Sequence, residues 1–128
     1  MNFTEEDFWI SQDNFLTMNS IKNSCHEEVL KFCRSNNLKG KIILPTSGST
    51  SGPKLTLLDK SSMLLSAKSV NEHLCINQND TWLCCLPTHH VSGLSIYARA
   101  YDSSSKVIKL ESKWNIAYFY NSLKENFI

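Results

Sequence analysis

The sequence predicts an α/β fold: a partial doubly wound parallel sheet with flanking helices. Short runs of β-branched and other apolar residues, typical of buried strands, alternate with stretches in which apolar residues recur at helical spacing. Strands that alternate with helices usually pair in parallel through right-handed crossovers. The length of 128 residues suits a single domain with its own core. We divide it into a helical lead-in, residues 1–40, and a β/α unit, residues 41–128.

The lead-in contains two predicted helices. Thr4 precedes three acidic residues, which is typical of a helix start. Ser24 and Glu27 have the spacing of a capping box, in which each side chain binds the other residue's backbone N–H. Asn36, Asn37 and Gly40 are residues that commonly end a helix, so the second helix should stop before the run KIIL.

The β/α unit begins with the strand KIIL and a Ser/Gly-rich loop, after which LTLL can form another strand. Asp59 is placed to cap a helix whose apolar face is Met63, Ala67, Val70 and Leu74. The remaining elements are a strand, a helix, a strand and a helix, at TWLCCL, SGLSIYARAY, KVIKL and NIAYFYNSLKENF. This alternation is the main support for the predicted class.

The composition argues against several classes of function. A formal net charge of +1, with no basic run among aromatic residues, argues against nucleic-acid binding. No apolar run approaches the roughly 20 residues of a membrane span. The acidic N-terminus MNFTEEDFWI does not resemble a signal peptide, so a cytoplasmic location is expected. Five cysteines without a CxxC pair predict buried, reduced thiols.

The loop LPTSGSTSGPK, residues 44–54, can be read as a flexible linker or as a phosphate-binding turn. Its position directly after a buried strand and its defined end at Pro53 and Lys54 favour phosphate. Glycines let successive N–H groups face an anion, the hydroxyls add donors, and the lysine adds positive charge. A Walker A loop is excluded because Pro53 precedes the lysine and Leu55 follows it.

Residues Thr46 to Lys54, TSGSTxxPK, resemble the phosphate-binding signature of the adenylate-forming enzymes, usually TSG[ST]TGxPK. Ser51 stands where that signature has glycine, and Gly52 follows it. Residues 86–95, LPTHHVSGLS, resemble the next motif of that superfamily, LPxxHxxG, in which His90 takes the histidine position. A surface or capping role for His90 is the alternative.

Within the superfamily, LPTHHVSGLSIYARA most resembles the o-succinylbenzoate–CoA ligases of menaquinone synthesis, where an arginine follows in the next helix. Arg99 occupies that helix. It either meets a dicarboxylate substrate or has a structural role.

The resemblance implies a two-step reaction. A small carboxylic acid attacks the α-phosphorus of ATP, with Mg²⁺ present, and coenzyme A thiolate then displaces AMP from the acyl-adenylate. His90 would act beside the acyl group as the catalytic residue. The phosphate-binding residues would be Thr46, Ser47, Gly48, Ser49, Thr50, Ser51, Gly52 and Lys54.

The sequence contains no counterpart of the family's adenine, ribose and catalytic-lysine motifs. The expectation is therefore an N-terminal fragment of an AMP-binding domain, inactive without the missing C-terminal portion of the ligase. Exposed sheet edges in such a piece favour a homo-oligomer. The alternative function is a non-catalytic phosphate-binding or interaction module that reuses this half-fold.

Overall fold

The computed structural model describes residues 3, 6–17, 23–46, 54–110 and 115–127, and it confirms the predicted α/β class. Five helices and five strands are formed by these residues. In chain order they are α1 (Glu6–Ile10), β1 (Phe15–Leu16), α2 (Asn23–Ser35), β2 (Lys41–Thr46), β3 (Lys54–Asp59), α3 (Lys60–Leu74), β4 (Thr81–Cys84), α4 (Val91–Ser103), β5 (Lys106–Lys109) and α5 (Ile116–Phe127). None of the helices described is long and apolar enough to cross a membrane.

The strands form two small sheets, ordered β1-β2-β3 and β4-β5. The expected parallel pairing holds for β4 with β5, and the additional strand β1 also pairs parallel with β2. It does not hold for β2 and β3, which pair antiparallel with Thr46 opposite Lys54. The physical reason is the connection at 47–53, because a parallel crossover needs a dozen or more residues.

Strand β2 is enclosed on both faces. Ile42 and Leu44 belong to the main core cluster, which also contains Leu94 of α4. Ile43 points the other way, into a second cluster with Cys33 of α2. A strand covered on both sides reads as a continuous apolar run, as the sequence does here. The segment that leads into the Ser/Gly-rich loop is therefore firmly held.

The lead-in contributes a strand as well as two helices. Phe15 and Leu16 form β1 and pair with β2, which the sequence did not predict. Helix α1 starts at Glu6, whereas Thr4, the predicted start, lies outside the described residues. Helix α2 ends as predicted, and Asn37 has the left-handed conformation of a helix C-terminus.

A buried lysine ties α3 to the lead-in. The Lys60 ammonium donates to the hydroxyl of Ser11 over 2.8 Å and lies 4.7 Å from the centre of the Phe8 ring. Burial lowers the pKa of Lys60, and the Asp13 carboxylate opposes that shift.

Helices α3 and α4 pack closely, and their contact includes a buried polar residue. Asn71 of α3 donates from Nδ2 to the Arg99 carbonyl and to the Asp102 carboxylate of α4, both over 2.8 Å. The predicted apolar face of α3 is correct for Met63 and Ala67, which are buried. It is wrong for Leu74, which is exposed, because Asn71 takes the place on the buried side.

The cysteines are not uniformly buried as predicted. Cys33 and Cys84 are buried, whereas Cys75 and Cys85 are exposed. Cys85 follows Cys84 at the end of β4, and successive side chains of an extended chain point to opposite sides. Cys75 sits at the C-terminus of α3 in a left-handed conformation.

An apolar groove of about 280 Å³ remains open between α2 and β3, and we call it the α2–β3 groove. Its exposed apolar side chains are Phe32, 57% exposed, and Leu57, 36% exposed. In the described part of the chain, no strand pairs with the second edge of β3. An unpaired edge beside an apolar groove favours association with another chain.

We expect Leu57→Lys to reduce self-association, because a charge on an edge strand opposes edge-to-edge pairing. The measurement is sedimentation velocity over a range of protein concentrations. Leu65→Lys is the matched control, since Leu65 lies on α3 and is 69% exposed. A parent chain that stays monomeric at high concentration, or an equal effect of the two variants, would contradict this expectation.

Candidate functional site

The predicted site residues belong to two connections, between β2 and β3 and between β4 and α4. The structure describes Lys54, His90 and the backbone of Thr46. The other predicted phosphate-binding residues lie outside the described residues; they are Ser47, Gly48, Ser49, Thr50, Ser51 and Gly52. Their predicted role therefore remains a prediction.

Both ends of the phosphate signature are fixed by strand pairing. Thr46 ends β2 and Lys54 begins β3, and the two residues lie opposite each other. The Thr17 N–H donates to the Ile43 carbonyl over 3.1 Å, so the backbone groups of Ile43 face β1. Since these groups alternate along a strand, Thr46 faces β3 and its pair with Lys54 closes the connection. Residues 47–53, which join β2 to β3, lie outside the described residues.

The β4–α4 connection folds tightly onto the first turn of α4. The His90 N–H donates to the Pro87 carbonyl over 3.1 Å, and the His90 carbonyl accepts from Leu94 over the same distance. The Cys84 thiol lies 3.4 Å from the Leu86 carbonyl. Burial is the main cause that raises the pKa of the Cys84 thiol. A protonated thiol is a weak hydrogen-bond donor.

Gly93 lies in this contact, and a Cβ at its position would be 2.2 Å from the Pro87 carbonyl oxygen. The sequence analysis gave no role to Gly93 or Cys84. The available signal was an isolated glycine inside a helical pattern, which often marks a close approach between segments.

His90 lies at the N-terminus of α4 and its side chain is exposed. Its backbone is extended, with φ −106° and ψ 145°, and its imidazole makes no capping hydrogen bond. The ring centre is 4.4 Å from that of His89. The position at the positive end of the α4 dipole suits an anionic neighbour. The structure does not show the capping alternative, whereas the exposed side chain agrees with a surface role. The predicted catalytic role of His90 stays a prediction.

Arg99 has a structural role in this fold. Its guanidinium carbon lies 5.4 Å from the centre of the Trp82 ring on β4, a cation–π distance. Its carbonyl accepts hydrogen bonds from Asn71 and Ser103. The cation–π contact of the guanidinium favours the structural alternative over contact with a dicarboxylate.

No group of three or more His, Cys, Asp or Glu side chains that could hold a metal ion occurs within the described ranges. The predicted role of Mg²⁺ remains a prediction.

No family model matches the chain, but curated proteins and solved structures do. It is 44% identical over 57 residues to the 2-succinylbenzoate–CoA ligase of Enterococcus faecalis, covering 44% of this chain and 12% of that protein. It is 25% identical over 121 residues to the 2-succinylbenzoate–CoA ligase of Bacillus cereus, covering 94% of this chain and 25% of that protein. The chain therefore spans between an eighth and a quarter of these relatives.

Solved structures share the fold. An o-succinylbenzoate CoA synthetase from Bacillus subtilis, bound to a product analogue, superimposes with a TM-score of 0.61 at 21% identity, covering 88% of this chain and 27% of that one. ATP-bound MatB from Rhodopseudomonas palustris gives 0.57 at 19% identity, covering 66% of this chain and 17% of that one.

The curated relatives and the shared fold confirm the resemblance to the adenylate-forming enzymes seen in the sequence. Within that class, the curated relatives are 2-succinylbenzoate–CoA ligases, and this chain is similar to a part of them.

Proposed function

We propose that this chain supplies the phosphate-binding part of an acid–CoA ligase, with o-succinylbenzoate as the acid. The observation that carries the proposal is the pairing of Thr46 with Lys54, which closes the signature TSGSTSGPK at the end of a doubly enclosed strand. An anion-binding loop needs both of its ends held in place, because positioning and charge stabilisation dominate the catalysis of phosphoryl transfer.

The proposed reaction proceeds in two displacements. A carboxylate oxygen attacks the α-phosphorus of ATP, forming the acyl-adenylate as the bond to pyrophosphate breaks. The thiolate of coenzyme A then attacks the acyl carbonyl carbon, and AMP leaves. The first displacement develops charge on the departing pyrophosphate, and donors placed around it stabilise that charge.

In this proposal the connection at 47–53 and Lys54 hold the β- and γ-phosphates, and His90 lines the junction between acyl group and phosphate. The exposed imidazole of His90 at the N-terminus of α4 supports that assignment. The chain spans 25% of the Bacillus cereus relative, and the adenine and ribose contacts would come from other parts of such a ligase. Complete turnover is thus proposed for the chain together with those contacts.

We expect Lys54→Ala to weaken pyrophosphate binding about 10-fold to 100-fold, since a hydrogen bond to a charged group contributes about 1.5 to 3 kcal/mol. Isothermal titration of the 128-residue chain with pyrophosphate measures this change. Lys68→Ala is the matched control, because Lys68 is an exposed lysine on α3. Equal affinities for the two variants would contradict the proposed phosphate site.

Pyrophosphate–ATP exchange in the presence of o-succinylbenzoate separates the ligase from the non-catalytic module. Exchange that Lys54→Ala abolishes supports the ligase. Pyrophosphate binding without exchange favours a binding module, for which the small share of the relatives spanned by this chain is the motivating observation.

A further inference from the structure

We infer that Gly93 is a positioning residue that sets the place of His90, together with the buried thiol of Cys84. The catalytic consequence of this inference rests on the proposed function. The structural part concerns only how the β4–α4 connection is held, and it can be tested without any substrate.

Gly93 touches the connection through backbone atoms alone. A Cβ at Gly93 would lie 2.2 Å from the carbonyl oxygen of Pro87, 2.7 Å from the carbonyl carbon of Pro87 and 2.8 Å from the carbonyl oxygen of Leu86. These distances are shorter than any van der Waals contact. Because backbone atoms cannot rotate away as a side chain can, any larger residue must separate α4 from the connection.

The carbonyl that would be displaced is the one that holds His90. The Pro87 oxygen accepts the His90 N–H over 3.1 Å. On the helix side Leu94 is fully buried, whereas on the connection side Leu86 is 46% exposed. The exposed connection is therefore the side that moves, and it takes the two histidines with it.

Cys84, at the end of β4, also contacts both the β4–α4 connection and the first turn of α4. Its sulfur lies 3.4 Å from the Leu86 carbonyl and 3.8 Å from the Gly93 carbonyl, and the side chain is buried. A weak thiol donor between these two carbonyls draws the connection towards the first turn of α4. Gly93 permits the close approach, and Cys84 adds an attraction across it.

The sign of the effect distinguishes this role from ordinary helix propensity. Glycine inside a helix is less favourable than alanine, so helix propensity alone would make Gly93→Ala stabilise α4. A close approach reverses that sign and also displaces His90. A merely structural glycine would change stability without changing the environment of one pair of imidazoles.

The test is NMR of the histidine imidazoles in the full chain, which has four histidines. In Gly93→Ala we expect the resonances of His89 and His90 to shift, while those of His26 on α2 and His73 on α3 stay in place. Ser92→Ala, an exposed substitution in the same turn, should leave all four unchanged. A folded Gly93→Ala chain with unshifted His89 and His90 signals would overturn the inference.

Cys84→Ala keeps the test decisive if Gly93→Ala does not fold. It removes the thiol without adding atoms, and it should shift the same two imidazoles by a smaller amount. Unshifted signals in that variant would equally overturn the inference. Neither readout involves ATP or an acid, so a failure here is distinct from a failure of the Lys54 experiments.

Discussion

Replacing Ile42 with alanine is expected to lower the free energy of unfolding by about 2 to 5 kcal/mol, the usual range for a buried Ile or Leu. Ile42 is 0% exposed and lies in the main core cluster on β2. The opposite face of the strand is filled by Ile43 and its own cluster. A strand enclosed on both sides cannot collapse into the cavity, so the loss should fall towards the upper part of the range.

Urea unfolding followed by circular dichroism measures this change. Ile116→Ala is the matched control, because Ile116 is 76% exposed on α5 and its loss should stay within about 0.5 kcal/mol. Ile42→Val should fall between the two, at about 0.5 to 1.5 kcal/mol. Similar losses for Ile42→Ala and Ile116→Ala would show that β2 is not the centre of the core.

The stability of β2 and the proposed phosphate site are linked through the chain. Thr46, the first residue of the signature, follows Ile42, Ile43 and Leu44 on the same strand. Loosening β2 would loosen the Thr46–Lys54 pair that closes the connection. We therefore read the apolar run before the loop as part of the site as well as part of the core.

The elements with strong periodicity could be predicted from the sequence, and those defined by tertiary contacts could not. Strands β2, β4 and β5 and helices α2 to α5 lie where apolar spacing placed them. Strand β1 has only Phe15 and Leu16 in a polar segment, so no alternation marks it. The antiparallel β2–β3 pair could have been foreseen, because the intervening connection is too short for a crossover.

The candidate site shows the same division. The two motifs identified the connections by local residue type and spacing, which a sequence displays directly. The contact of Gly93 with the Pro87 carbonyl depends on how α4 docks against β4, and no periodicity encodes it. The burial of Asn71 could not be predicted either, because the helical pattern was identified from apolar residues and asparagine is polar.

Asn71→Asp is expected to destabilise the fold by about 3 to 5 kcal/mol at neutral pH, the usual effect of an uncompensated buried charge. Asn71 is 4% exposed, and its Nδ2 donates over 2.8 Å to both the Arg99 carbonyl and the Asp102 carboxylate. The substitution removes both donors and puts a second carboxylate against Asp102. Burial of the introduced carboxylate and its repulsion from Asp102 both disfavour the folded state. We therefore expect α3 and α4 to separate at this contact.

The pH dependence of that loss identifies its cause. Burial and Asp102 raise the folded-state pKa of the introduced carboxyl above its unfolded value of about 3.9. The loss relative to the parent is then smallest below that unfolded value, grows as pH rises above it and levels off once pH passes the folded-state pKa. Urea unfolding at a series of pH values measures this, with Asn79→Asp in the exposed turn after α3 as the matched control. A loss independent of pH would mean that the missing hydrogen bonds, rather than charge repulsion, hold the two helices together at Asn71.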